Sequence, residues 1–118
     1  MPPRLTIEQV TEIMRLAQQK GEKPNLRQAN LAGVPLLWSN LSHADLSEAD
    51  LHEANLRGAN LSGANLTKAD LRLAGLVWTD LSGADLSEAD LREANLKGTN
   101  LTNAILHHTI MPDGTVHE

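Results

Sequence analysis

The chain has 118 residues, enough for one small domain, with 41% apolar residues and a net charge of −5. It contains no Cys, Phe or Tyr and no apolar run of about 18 residues, which excludes a disulfide framework, thiolate chemistry and a membrane-spanning helix. The acidic balance argues against direct nucleic-acid binding, and the missing signal-peptide pattern leads us to expect a cytoplasmic protein.

Residues 1–23 read as a capping segment built on one helix, 6–20. Thr6 and Gln9 have the spacing of a capping box. Ile7, Val10, Ile13, Met14 and Ala17 recur at helical spacing, Gly21 suits a stop, and Pro24 opens the next element. Such a helix would close one end of that element and keep its edge from pairing with other chains. A helix folded further down the molecule would also shield Trp38.

From Pro24 onward the chain repeats every five residues. Leu stands at 17 consecutive positions, from Leu26 to Leu106, and Met111 and Val116 continue the spacing. Ala lies two residues before Leu in 12 of the 17 repeats, and Asn or Asp lies just before it in 14, giving Ala-(Asn/Asp)-Leu-X-X. Neither regular structure gathers such a series into one core. On an α-helix successive Leu would step about 140° around the axis, and on a strand residues five apart face opposite ways. The chain must turn once per repeat so that every Leu points at a common axis, which describes a solenoid. Ser, Asn, Asp and Gly at the other positions suit tight turns.

A longer period sits on top of the short one. Residues 44–51 and 84–91 are identical, and Trp38 and Trp78, like Pro35 and Gly75, stand 40 residues apart. Forty residues are two turns of a four-sided coil and not a whole number of three-sided turns; duplication of a gene segment would leave the same mark. At the far end, Met111-Pro112-Asp113-Gly114 marks a turn, and the tail 114–118 is expected to lie over the last coil.

The run Ala-Asn-Leu-Arg-Gly-Ala-Asn-Leu-Ser-Gly at 54–63 resembles the pentapeptide repeat family, and the likeness extends over about 24–113. The resemblance, to a small member of cyanobacterial type, implies an all-β solenoid: a right-handed quadrilateral β-helix of about 4–5 coils, four repeats per coil, with a short N-terminal capping α-helix. It also implies that Leu and the preceding Ala point inward while the residue before Leu and the two after it point outward. Ala64→Leu is then expected to overpack the coil. Most members of the family have no assigned activity.

Sorted onto four faces, the outward residues differ sharply. The first face, with Arg27, Asp45, Glu48, Lys68, Asp85 and Glu88, is net acidic. So is the second, which stacks Asp50, Asp70 and Asp90 beside His52, Arg72 and Arg92; carboxylates so close are expected to raise one another's pKa. The fourth is mostly Ser, Asn and Gly. The third carries Leu37, Trp38, Val77 and Trp78, with Arg57 and Lys97 between them, Leu73 at the neighbouring corner, and Gly58 and Gly98 alternating with the Trp residues. An apolar strip with adjoining cations has the composition of a contact surface. It also fits plain cladding, in which each Trp covers a glycine and Arg57 stacks on an indole.

The other constellations are weaker. The acidic column could attract a hard cation, but it lacks the Gly-Gly-X-Gly-X-Asp pattern of calcium-binding β-rolls. His107, His108 and His117 offer no evident fourth ligand and read as a terminal polar cluster. A filled rod has no concave site in which catalytic groups could converge, and Ser42, Ser62 and Ser82 recur as turn residues. No metal and no cofactor are expected. The expected function is a non-enzymatic scaffold that binds an unknown protein partner through Leu37, Trp38, Arg57, Leu73, Val77, Trp78 and Lys97, as a monomer or weak homodimer. Two alternatives stand beside it. One is a DNA-mimicking modulator of DNA gyrase or another topoisomerase, as some members of the resembled family are; those are longer and typically place Phe in the core. The other is a structural module without a dedicated partner.

Overall fold

The computed structural model describes residues 2–118. Its one helix, α1 (Ile7–Lys20), begins and ends as its local chemistry dictates. The Thr6 side chain accepts from the Gln9 N–H at 3.1 Å while the Gln9 side chain accepts from the Thr6 N–H at 2.8 Å, so the capping box is complete. Gly21 takes the left-handed conformation, and the Glu22 N–H returns to the Ala17 carbonyl at 2.9 Å. Val10 is buried in one cluster with the solenoid core, Ile13 and Met14 pack against that cluster partly buried, and Ala17 is buried as well.

The five-residue period is a turn period. In all 17 repeats the residue two after Leu has φ between 56° and 69°. The N–H three residues after Leu donates to the Leu carbonyl at 2.9–3.2 Å, which closes a β-turn of type II character. Positive φ is most costly for β-branched side chains, and no Val, Ile or Thr occupies that position in any repeat. Val77, Thr67 and Thr102 sit one residue earlier, where φ is ordinary.

Between turns the chain pairs with itself twenty residues on. The bridges Asn25↔Asp45, Asn30↔Asp50, Pro35↔Asn55 and Asn40↔Asn60 are all parallel and continue upward in register. Four repeats therefore bring the chain back above its starting point, and repeats twenty apart stack as one face. The Leu31 N–H donates to the Asp50 carbonyl at 2.7 Å, and the Asp50 N–H donates back to the Ala29 carbonyl at 2.9 Å. The β-structure consists of single-residue bridges rather than long strands, because the turn takes up most of each repeat and one residue per repeat remains to pair on both sides. Among the described residues only Thr109–Ile110 (β1) and Val116–His117 (β2) form a ladder of more than one residue, and it is antiparallel. The tail thus does not add a further repeat: it reverses at Pro112–Gly114, and Val116 is left exposed although it keeps the Leu spacing.

The residue before Leu has its own task. The N–H of the residue after Leu lies outside the ladder, and the Asn or Asp side chain caps it: Asp50 Oδ1 accepts from the His52 N–H at 3.1 Å, Asn60 Oδ1 from Ser62 at 2.9 Å, and Asp80 Oδ1 from Ser82 at 2.9 Å. Inside, Leu26 through Leu91 in the five-residue series are 0–2% exposed, and the inward Ala residues from Ala44 to Ala89 are nearly as closed. Thr79 and Thr109 replace Ala without leaving a buried hydroxyl unpaired, since their Oγ1 groups donate to the Leu56 and Leu86 carbonyls at 2.7 and 2.6 Å.

Candidate functional site

The third face is built by turn residues. Trp38 and Trp78 occupy the left-handed position with φ 61° and 59°, which directs both indoles away from the core. They are 65% and 54% exposed, so α1 does not shield Trp38. Each ring reaches up to the next coil. A Cβ on Gly58 would run into the Trp38 ring and one on Gly98 into the Trp78 ring, which explains why glycine alternates with Trp in this column. The Arg57 guanidinium lies over the Trp78 ring, 4.2 Å from its centroid. Leu37 and Leu73 are also exposed, while Val77 is half-buried. The face therefore combines the packing contacts expected of cladding with the exposure expected of a contact surface.

Charge on this face is unusual. Arg57 and Lys97 are its only ionisable residues, and neither makes an ion pair among the described residues. Elsewhere on the repeats the arginines have partners: Arg27 with Glu48 at 2.8 Å, Arg72 with Asp70 at 2.7 Å and Arg92 with Asp90 at 2.6 Å. The third face also lacks two of its Asn/Asp caps, since Pro35 and Gly75 have no side-chain acceptor to offer Leu37 and Val77.

The second face differs from its expectation. Asp50, Asp70 and Asp90 do stack by parallel bridges, yet the carboxyl groups of Asp70 and Asp90 are held below the usual range rather than raised. The hydrogen bonds from the Arg72 and Arg92 side chains are the main cause, and they outweigh the partial burial that acts the other way. Asp50 binds His52 Nδ1 at 2.7 Å, which with Asp50, Asp70 and Glu53 nearby pushes the imidazole pKa up. Oxygens of Asp50 and Asp70 and a ring nitrogen of His52 lie within 4.8 Å of one another. Asp70, however, is already engaged by Arg72 through two hydrogen bonds of 2.9 and 2.7 Å. The Asp-X-Arg and Asp-X-His spacing carried this signal in the sequence; it runs along the chain, whereas the stacking of like charges runs down the column.

At the far end the His107 and His108 rings stack with centroids 3.8 Å apart. A hollow of about 620 Å³ lies between α1 and the fourth face, lined by Ile7, Val10, Met14, Leu36 and Leu41 among others. Sequence reasoning did not anticipate it. The apolar residues at the start of α1 were its only trace. No described helix is long and apolar enough to cross a membrane.

A family profile described as pentapeptide repeats matches residues 25–58, 36–72 and 79–112, in eight copies. The chain belongs to the pentapeptide repeat family. Among solved pentapeptide repeat proteins, alr5209 from Nostoc Pcc 7120 is 38% identical, with a TM-score of 0.72 over 84% of this chain and 78% of that one. Rfr23 from the cyanobacterium Cyanothece 51142 is 35% identical, with a TM-score of 0.48 over 80% of this chain and 65% of that one. HetL from Nostoc sp. strain PCC 7120, a pentapeptide repeat protein involved in heterocyst differentiation regulation, is 28% identical over 81% of this chain and 67% of that one, with a TM-score of 0.44. No curated protein matches the chain.

Proposed function

We propose that this pentapeptide repeat protein is a non-enzymatic scaffold that docks another protein on its third face. The observation that carries the reading is the pair of indoles, 65% and 54% exposed, seated on Gly58 and Gly98 where most repeats carry Gly or Glu. Trp and Arg contribute disproportionately to interface energy: Trp buries a large rigid area at low cost in side-chain freedom, and Arg brings a planar charged group with several donors. Leu37, Val77 and Leu73 widen the apolar strip, and Arg57 and Lys97 give it charge. Mimicry of DNA would call for rows of unneutralised carboxylates, and the Asp70–Arg72 and Asp90–Arg92 pairs leave fewer of them.

On this reading residues 1–23 are a cap, 24–113 a right-handed quadrilateral β-helix of about 4–5 coils, and 114–118 a closing tail. The protein acts in the cytoplasm as a monomer or weak homodimer. The test is a quantitative pull-down from host lysate with wild type and the Trp38→Ala/Trp78→Ala variant, both shown to be folded. A partner retained by wild type and lost by the variant supports the reading. An identical set of captured proteins would make the Trp pair cladding.

A further inference from the structure

We infer that the third face takes one class of partner: an amphipathic α-helix with acidic residues, lying along the solenoid axis. The inference rests on the docking reading above and adds the partner's chemistry and geometry.

Charge favours an acidic partner. The chain carries −5 overall, yet this face carries only Arg57 and Lys97. Both are free of ion pairs among the described residues. A second copy applied face to face would set these cations against one another beside the same indoles, with no carboxylate on the third face of either copy to relieve them. A carboxylate-bearing partner meets them at once. Glu53 and Glu93 bracket Leu73 at the neighbouring corner, which confines the partner's acids to the Arg57/Lys97 line.

Spacing favours a helix. Coils of paired backbone stand about 4.8 Å apart. Leu37 and Trp38 lie on one level, Arg57 one coil on, Val77 and Trp78 two coils on and Lys97 three coils on, because bridges join residues twenty apart. By backbone position the column Leu37, Arg57, Val77, Lys97 therefore alternates apolar and cationic levels at roughly 0, 4.8, 9.6 and 14.4 Å, while the indoles of Trp38 and Trp78 reach up beside the cationic ones. An α-helix rises about 1.5 Å per residue, so positions i, i+3, i+7 and i+10 on one of its faces fall at about 0, 4.5, 10.5 and 15 Å. A partner with apolar residues at i and i+7 and Asp or Glu at i+3 and i+10 matches each level within about 1 Å. An extended segment does not: its same-face residues recur every 6.6 Å or so. The width suits a single helix, since each face spans one five-residue repeat.

The chain's two Trp residues both lie on this strip, so intrinsic fluorescence reports its occupancy without a label. The probes are three synthetic peptides of about 21 residues, long enough to form a helix. One has Leu every seventh residue with Glu three residues after each, one has the same composition scrambled, and one has Lys in place of Glu. The expected result is a saturable blue shift of Trp emission with the Glu peptide, weakened by added salt. The Arg57→Glu/Lys97→Glu variant should lose about tenfold in affinity for it and gain affinity for the Lys peptide. Ser, Thr, Arg and His all occupy the equivalent position in other repeats, so this variant keeps the fold, and circular dichroism verifies that. The inference is overturned if the scrambled or Lys peptide binds wild type as well as the Glu peptide, or if none shifts the emission at about 1 mM. It is equally overturned if phosphatidylserine vesicles shift the emission and the Glu peptide does not. A Trp-dependent partner in the pull-down with no preference for the Glu peptide would sink this inference alone. A Trp-independent pull-down would sink the docking reading.

Discussion

The second and third faces hang on the same inner ladder of Leu and Ala, turn at the same positive-φ residue, and rise through the same coils. They treat charge in opposite ways. On the second face each basic side chain lies two residues after an Asp and bonds back to it, so that Asp50–His52, Asp70–Arg72 and Asp90–Arg92 form three self-contained rungs. On the third face Asn55 and Asn95 cap the backbone but offer no charge, and Arg57, stacked on Trp78, and Lys97 make no ion pair among the described residues. The Asp side chain on the second face both caps a turn and neutralises a neighbour. The residue before Leu thus does more than cap the turn on these two faces: Asp50, Asp70 and Asp90 also bind the side chain two residues on, while Asn55 and Asn95 cap the backbone alone.

Four sets of substitutions test this contrast between the faces. The largest effect is expected from Ala64→Leu, which strikes the ladder common to all faces. Ala64 is 1% exposed, and the added carbons have no space to enter, so urea denaturation should show a loss of about 3 kcal/mol or outright failure to fold. Next comes Gly58→Ala, set against Gly83→Ala. Both glycines have φ 66°, so each substitution carries the same left-handed strain of about 1 kcal/mol. Of the two, only Gly58 lies under an indole, and its variant should cost about 1 kcal/mol more and red-shift Trp emission. Equal losses and unchanged emission would deny that the Trp38 packing matters.

A smaller effect separates the two roles of Asp on the second face. Asp70→Asn keeps an acceptor for the Arg72 N–H but gives up the charge pair, whereas Asp70→Ala gives up both. Asparagine should fall within about 0.5 kcal/mol of wild type, and alanine should cost about 1–2 kcal/mol. If the two variants were equally unstable, the ion pair rather than the cap would be the main contribution. The smallest effect is pH-dependent. The His52 pKa is raised in the folded chain, chiefly by its hydrogen bond to Asp50. A raised pKa means that the folded state holds the proton more tightly, so the stabilisation is present below the unfolded value and fades as pH rises through the folded one. The stability gap between wild type and His52→Ala should therefore be wider near pH 5.5 than near pH 8.5. A gap that widened with rising pH would contradict the Asp50 contact.

Much of this molecule is legible in its sequence. The capping box at Thr6 and Gln9 and the stop at Gly21 are consequences of interactions within a few residues and appear where the spacing put them; Leu lies inward as the five-residue period requires, and Ala as the family resemblance implies. The third face was legible as a set of residues, because a 40-residue period already aligned Trp38 with Trp78. What that set lacked was the contacts: the indoles over Gly58 and Gly98, and Arg57 on the Trp78 ring. Val116 shows the converse. It obeys the Leu spacing yet leaves the core, since the turn at Pro112–Gly114 reverses the chain and pairs it antiparallel with Ile110.

By itself the sequence determined the turn, because a positive-φ residue, an Asn or Asp cap and an inward Leu are set by interactions inside one repeat. Tertiary structure decided which repeats lie above one another, and with that which outward side chains meet. That choice depends on bridges between residues twenty apart, which no single repeat contains and which form only when the coil has closed around its packed Leu residues.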